Sequence, residues 1–291
     1  MPELPEVETV RRALAERVVG RVVVGCALHR RDVLVVPGDP IGGFARNPGA
    51  QRPKRAARAH LLLGGTLTEP VRRGKQLALA CADGRRLLIH LGMTGQVLHA
   101  ARGRRLAHGD HHHATLRLDD GSRLVFRDPR RFGGLWAIGR PEELERRWAA
   151  LGPDALEIGS AQLFEALSTA RRPIKAVLLD QTRIAGIGNI YADEALFAAG
   201  IHPLRTASSI GHAEATALAR AIRRTLGAAI AAGGSTIRDY TDPMAAAGGY
   251  QRAHLVYGRG GEPCARCGGV LERLVVAQRT TVCCPRCQVF S

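Results

Sequence analysis

Two Cys-x-x-Cys pairs near the end of this 291-residue chain carry its plainest chemistry. Cys264 and Cys267, then Cys284 and Cys287, are separated by sixteen residues, 268 to 283. At that spacing two tight knuckles place four thiolates tetrahedrally around one zinc ion. Four sulfur ligands close the site, so one zinc per chain is expected as a structural and not a catalytic ion. Cys283, beside Cys284, leaves the register of the second pair open by one residue. Residues 270–276 and 280–282 read as the strands of an intervening hairpin, with Gln278-Arg279-Thr280 at its tip. A guanidinium there can clamp a phosphate bidentately, and it can equally be solvated charge on a turn.

The whole chain is basic, with 42 Lys and Arg against 26 Asp and Glu, a formal charge of +16. A polyanionic partner follows, because each phosphate neutralised releases counterions, with nucleic acid first and an anionic membrane surface second. A GC-rich genome inflates Arg, Ala and Gly and accounts for part of the excess. No apolar run approaches the ~20 residues of a membrane span, and Glu3, Glu6 and Glu8 stand where a secretory leader would be basic and then apolar. A cytoplasmic protein with reduced cysteines is therefore expected, with Cys26, Cys81 and Cys283 as buried thiols.

Elements that position these residues can be read from periodicity. Val7, Val10, Leu14 and Val18 recur at helical spacing, with Pro5 suited to a first turn and Glu6 and Glu8 complementing the helix dipole. Residues 21 to about 138 read as short strands, among them 21–24, 77–80, 87–90, 115–118 and 123–127, punctuated by Asp83-Gly84 and Asp120-Gly121 turns. That pattern predicts a β-sandwich or barrel. From Pro141 onward the pattern is helical, with Pro141 and Pro173 in first turns, Ser160 as an N-cap, and a stripe of Leu218, Ile222, Leu226 and Ile230 ending at Gly233-Gly234. A Gly-rich loop covers 235–249, and the tail from 255 has too few apolar residues to fold without its metal. The fold class is α+β: an N-terminal β-sandwich with an opening helix over 1–140, a helical domain over 141–250, and a zinc hairpin over 251–291.

The opening Met-Pro-Glu-Leu-Pro-Glu-Val-Glu-Thr begins a series of motifs that runs the length of the chain. It continues with Arg73-Gly74-Lys75, His90-Leu91-Gly92-Met93-Thr94-Gly95, Asp128-Pro129-Arg130-Arg131-Phe132-Gly133, Gly186-Ile187-Gly188-Asn189-Ile190-Tyr191-Ala192-Asp193-Glu194 and Val256-Tyr257-Gly258-Arg259, and ends in the zinc segment. In content and order these resemble the bacterial formamidopyrimidine-DNA glycosylases. The resemblance implies base-excision repair by a bifunctional glycosylase and abasic-site lyase acting on 8-oxoguanine and formamidopyrimidines in double-stranded DNA. It further implies a helix-two-turn-helix element, action as a monomer, and a nucleoid-associated location.

Pro2 is the nucleophile that the resemblance implies. Removal of Met1 exposes a secondary amine whose pKa lies near 8, so much of it is neutral and can attack the sugar's anomeric carbon. The resulting iminium acidifies neighbouring C–H bonds, so β,δ-elimination can follow base loss. Glu3 is placed to exchange protons with the sugar or the base. Met93, Arg130 and Phe132 are implied as fillers of the hole left by base extrusion, although for Met93 and Phe132 taken alone core packing is the better expectation. Lys75, His90, Arg131, Asn189, Tyr191 and Arg279 are expected around DNA, with Lys75 and Arg279 counted with the catalytic group. Glu6, Thr236, Arg238 and Tyr240 match the surroundings of the extruded base.

Two departures stand out. His111-His112-His113 replaces an alternating pattern, leaving open which histidine faces phosphate, and residues 38–58 match nothing in the family. Three other functions share parts of this pattern: the endonuclease VIII branch, which prefers oxidised pyrimidines; a silent damage-binding relative; and an unrelated zinc-ribbon RNA-binding protein. Leu4 with Met93, Arg130 and Phe132 favours the purine branch, intact Pro2, Glu3 and Lys75 argue against silence, and the zinc-ribbon reading leaves the first 250 residues unexplained.

Overall fold

The computed structural model describes residues 2–37, 57, 59–106, 110–236 and 240–290. Arg238 and, apart from Ala57, the expected loop at 38–58 lie outside the described residues. Two compact units are formed, one by 1–149 with 233–248, the other by 150–232 with 249–291.

In the first unit the chain runs through helix α1 (Leu4–Val18) and strands β1 (Val23–Leu28), β2 (Leu34–Val35), β3 (Leu67–Arg73), β4 (Gln76–Cys81), β5 (Arg86–His90), β6 (Gln96–Ala100), β7 (His112–Leu118), β8 (Arg123–Arg127) and β9 (Gly134–Ile138), then helix α2 (Pro141–Trp148). Two sheets form, in the orders β2-β9-β5-β4-β3 and β1-β7-β8-β6. Between them lies one core, with Leu77, Leu79, Leu87 and Ile89 from the first sheet meeting Leu116, Leu118, Leu124 and Phe126 from the second. Helix α1 contributes Val7, Val10, Leu14 and Val18 to that core. The other face of the five-stranded sheet packs Ala78, Leu88, Trp136 and Ile138 against Leu144 of α2. Burial on both faces explains why β4, after Gln76, is a continuous apolar run and does not alternate.

Both expected hairpin turns form. Gly84 and Gly121 take φ values of 92° and 83°, while Asp83 and Asp120 accept the backbone N–H two residues on. Strand β1 starts at Val23 instead of 21, because the Arg21 amide is used to close the end of α1 on the Val18 carbonyl. At 112–114 the triple histidine is accommodated by a bulge in the β7–β8 ladder, with His111 at φ 58°.

The second unit holds helices α3 (Ser160–Ser168), α4 (Ile174–Leu178), α5 (Asn189–Ala199) and α6 (His212–Ala231), with hairpin β10 (Glu272–Val276) and β11 (Arg279–Cys283). All four residues of the expected α6 stripe are buried. Gly159, not Ser160, caps α3, because Gln162 Oε1 reaches back to the Gly159 N–H at 3.1 Å and fixes the start one residue earlier. Helix α5 begins at Asn189 as the sequence indicates and ends on left-handed Gly200. Cys81 and Cys283 are buried, whereas Cys26 is half-buried, its thiol donating to the Leu61 carbonyl at 3.1 Å.

Glu8 does more than complement a helix dipole. Its carboxylate lies 3.0 Å from Arg11, 2.8 Å from Arg12 and 3.0 Å from Arg72 on β3. Burial alone would raise its pKa, but the three guanidinium hydrogen bonds prevail and bring it down to about 2. Its stabilisation is therefore fully present above the ordinary value of 4.5 and is lost as pH falls from there towards 2. Glu8→Gln is expected to lower stability at neutral pH by about 2–4 kcal/mol, measured by denaturant unfolding, since a buried partnership is broken. The difference from wild type should shrink across that acid window; an undiminished difference at its lower end would refute the assignment.

Candidate active site

Pro2 and Glu3 are both buried at the head of α1. What holds them is Glu6, itself 1% exposed. One Glu6 oxygen accepts the Glu3 N–H at 2.8 Å and the other accepts the Ser235 N–H at 2.7 Å. Gly234 makes the second bond possible: it sits at φ 82°, and a Cβ there would lie 2.9 Å from Glu6 Oε1. The Tyr240 hydroxyl donates to the Glu6 carbonyl at 3.3 Å, and burial pushes its phenol far above the ordinary range, so it stays a donor. Thr236 closes the base of this loop, donating to the Tyr240 carbonyl at 2.9 Å and accepting the Gly248 N–H at 2.8 Å. Residues 234–236 and 240 thus serve to clasp the terminus.

Lys75 occupies the β3–β4 turn, after Gly74 at φ 54°. The turn is tied to α1 through Arg72, which bonds Glu8 and also donates to the Gly74 carbonyl at 3.0 Å. In the sheet register His90 stands opposite Gln76, the residue after Lys75. Its Nδ1 accepts the Gly92 N–H at 3.0 Å, which leaves the proton on Nε2. Burial, with the nearby Lys75 charge, pushes the His90 pKa down to about 4, so the ring works as a neutral donor.

Met93, Arg130 and Phe132 stand on two interlocked loops. Asp128 accepts the Thr94 hydroxyl at 2.5 Å and the Gly133 N–H at 2.7 Å, while Thr94 Oγ1 accepts the Arg130 N–H at 3.1 Å. Close approach demands glycine at 92, where a Cβ would fall 2.4 Å from the Phe132 carbonyl carbon. Met93 is 39% and Phe132 40% exposed, so neither is a core residue. The Arg130 guanidinium lies 4.9 Å from the Phe132 ring centroid and is exposed as well. Arg131, at φ 55°, turns away towards Asp32, 3.9 Å off. Of the three histidines, His113 is buried and bonds the Asp128 carbonyl at 2.8 Å, His111 pairs with Asp110, and His112 is half-buried on β7.

In the second unit Asn189 Nδ2 donates to the Thr280 carbonyl at 2.9 Å, which joins the first residue of α5 to the strand carrying Arg279. The turn before α5 is braced by Gln181, which accepts the Gly186 N–H and donates to the Ile187 carbonyl, both at 2.9 Å. Tyr191 is 1% exposed, its ring tilted against Tyr250. Arg279 is exposed and opens β11; the tip itself is Ala277-Gln278, both at positive φ. Beneath it lies Lys175, with no exposed side-chain surface, 2.6 Å from Asp193 and 2.7 Å from the Thr281 hydroxyl. Asp193 also accepts the Val282 N–H at 3.1 Å, and Glu194 collects the N–H groups of Leu255, Val256 and Tyr257. Sequence reasoning assigned no role to Gln181, Lys175, Asp193 or Glu194. A charged residue amid Ile174, Val177 and Leu178 was the available signal for Lys175.

Cys264, Cys267, Cys284 and Cys287 bring their sulfurs within 4.8 Å of one another, with 4.0 Å between Cys264 and Cys287 and 3.5 Å between Cys267 and Cys284. Bonds of ~2.3 Å to a tetrahedral zinc require separations of about 3.8 Å, so the donor set fits. The Arg266 and Cys287 N–H groups point at Cys264 and Cys284 sulfurs at 3.4 Å, as thiolates favour. Cys283 is excluded from the set, its sulfur lying 3.8 Å from His202 Nε2. Zinc held here is structural.

Among the described residues no helix is long and apolar enough to cross a membrane. Residues 1–135 match the formamidopyrimidine-DNA glycosylase N-terminal domain, 150–241 the formamidopyrimidine-DNA glycosylase H2TH domain, and 261–289 the zinc finger found in FPG and IleRS. The formamidopyrimidine-DNA glycosylase of Chloroflexus aggregans is 44% identical over 293 residues, covering 100% of this chain and 99% of the relative. The crystal structure of the MutM (Fpg) protein of Thermus thermophilus superposes with a TM-score of 0.81 at 40% identity, over 100% of both chains. A Lactococcus lactis Fpg point mutant in complex with DNA containing Fapy-dG gives a TM-score of 0.84 at 33% identity, over 99% of this chain and 100% of that one. The chain belongs to the formamidopyrimidine-DNA glycosylase family.

Proposed function

We propose that this protein excises oxidised purines, 8-oxoguanine and formamidopyrimidines, from double-stranded DNA and then cleaves the strand as an abasic-site lyase. The observation that carries this reading is the buried Pro2-Glu3 head, pinned by Glu6 between the start of α1 and the 234–236 backbone. First residues are ordinarily loose, and a terminus fixed this way suits a nucleophile. The Pro2 nitrogen attacks the anomeric carbon, the damaged base leaves with a proton, and ring opening gives an iminium. Loss of a proton from the adjacent carbon expels the 3′ phosphate, and a second elimination expels the 5′ phosphate. Glu3 exchanges protons with the sugar. Lys75 and neutral His90 hold backbone phosphate from the first unit, Asn189 and Arg279 from the second. Arg130 reads the orphaned base while Met93 and Phe132 fill the gap. Tyr191, expected at DNA, has a buried side chain and can meet DNA only through the backbone at the start of α5, and Arg131 and Arg238 are assigned to backbone and lesion surroundings.

The division into 1–140, 141–250 and 251–291 is proposed on function, supported by family matches over 1–135, 150–241 and 261–289. Action as a monomer, in the cytoplasm and on the nucleoid, belongs to the same proposal. Cys26, Cys81 and Cys283, outside the zinc set, are free thiols, in keeping with a reducing compartment.

Borohydride reduction of the protein mixed with lesion duplex should freeze the iminium as an adduct at residue 2, located by mass spectrometry on a chain beginning at Pro2. An amide-linked proline has no lone pair for attack, so an uncleaved N-terminal extension should abolish trapping. An adduct on Lys75 would overturn the assignment, and no adduct on a correctly processed chain would favour a silent damage binder.

Arg130→Ala and Arg279→Ala should differ in kind. The first should blunt discrimination between cytosine and adenine opposite the lesion, a bidentate contact being worth about 1–3 kcal/mol. The second should weaken binding to all sequences and flatten the salt dependence by roughly one unit of slope. Unchanged opposite-base preference in Arg130→Ala would remove it from that role.

Cys267→Ser is expected to release the zinc, measured by metal analysis, and to abolish DNA binding with the sandwich still folded. Stoichiometric zinc in that variant would disprove the ligand set.

A further inference from the structure

We propose that the outward face of the four-stranded sheet is a second nucleic-acid surface, which holds the phosphate backbone of an undamaged duplex. Leu116 and Leu124 pair across β7 and β8 and point into the core, so their neighbours Arg117 and Arg123, also paired, point outward together. Two like charges directly opposite each other on a sheet destabilise it. Arg123 donates to the Arg104 carbonyl at 2.8 Å while the Arg117 guanidinium lies over β1 at Gly25, so the two charges are spread along the face and suit successive phosphates.

The sheet makes room for this arrangement. Gly25 is the β1 partner of Arg117, and the Arg117 guanidinium lies over it, 2.4 Å from where a Cβ would stand, so a side chain at 25 would displace the guanidinium from this position. Two shallow depressions share Arg117 and Arg123; one is completed by His29, Arg105 and His112, the other by Arg102. Among the described residues, Asp119 is the one carboxylate lining either of them. Arg102, Arg105 and Arg117 have no ion-pair partner among the described residues.

Duplex backbone is the occupant that this chemistry favours. The seven residues of β7 span about 20 Å, along which a duplex presents a phosphate of each strand roughly every 3.4 Å. No described Phe, Tyr or Trp lines the depressions, so single strands find no stacking platform. The Arg117–Arg123 pair sits at the far end of β8 from the Asp128 loop, whereas His112, opposite Arg127, lies at the near end, so it is the two arginines that distinguish this surface from the loops carrying Met93, Arg130 and Phe132.

To test it, the protein is saturated with a short duplex carrying a tetrahydrofuran abasic analogue, and capture of a second, undamaged duplex is read by energy transfer between dyes. Wild type should capture the second duplex in a salt-dependent manner. The double variant Arg117→Gln, Arg123→Gln should lose capture, with the salt slope reduced by roughly two units, while lesion-duplex affinity and single-turnover cleavage stay unchanged. Its thermal midpoint without DNA should not fall, because a like-charge pair is removed. Arg102→Gln with Arg105→Gln, outside the strands, should weaken capture independently of any effect on the sheet. No capture by wild type, full capture by both double variants, a parallel loss of lesion affinity, or capture of polyglutamate in place of duplex would each overturn the proposal.

Discussion

A carboxylate removed from water must have both oxygens hydrogen-bonded, and this requirement shapes several of the loops of the protein. Glu6 satisfies it with two backbone N–H groups from segments far apart in sequence, Asp128 with a hydroxyl and a glycine N–H, and Glu194 with three consecutive amides. In every case the acid sits on or beside a regular element and at least one of its donors belongs to a loop. Because the loops lack cores of their own, leaving such an acid short of donors costs more than the loop gains by moving. The Pro2-Glu3 head, the loops carrying Met93, Arg130 and Phe132, and the segment leading into the zinc hairpin are therefore each held by hydrogen bonds from the protein itself.

Charge is partitioned accordingly. Acidic residues of the motifs are buried and hold loops, whereas Arg130, Phe132, Met93 and Arg279 are displayed. An aromatic and a thioether at about two-fifths exposure on adjoining loops are available for the proposed filling of a gap in a base stack. His90 shows the same economy at smaller scale: one nitrogen is committed to the Gly92 amide, so the other is presented as a donor.

Much of this was legible in the sequence. The 3.6 spacing of Val7 to Val18, the two Asp-Gly turns and the start of α5 at Asn189 follow from local rules that tertiary structure had no reason to override. The Cys spacing was strong for the same reason, although only the packing of Cys283 against His202 settled its register. Illegible were the long-range partners. Glu6 and Glu8 look like ordinary first-turn acids, Lys175 like a surface lysine, and Asp193-Glu194 like helix polarity. Their roles depend on amides and guanidinium groups contributed by other elements, and no periodicity reports those. Met93 and Phe132 reverse the problem: residue type favours a core, and exposure became evident only when Asp128 and Thr94 had shaped their loops.

The segment 233–248 belongs to the first unit although the chain has by then built most of the helices of the second. The Glu6–Ser235 bond spans 229 residues. A ribosome adding about 5–20 residues per second takes on the order of ten to fifty seconds to supply that amide after Glu6 has emerged. Throughout that interval the sandwich can collapse on its own core, but the proline head keeps only the local Glu3–Glu6 bond. The clasp is thus completed late in synthesis, and a chain released early, even with every strand of the sandwich in place, would carry Pro2 and Glu3 without the Ser235 amide that Glu6 holds.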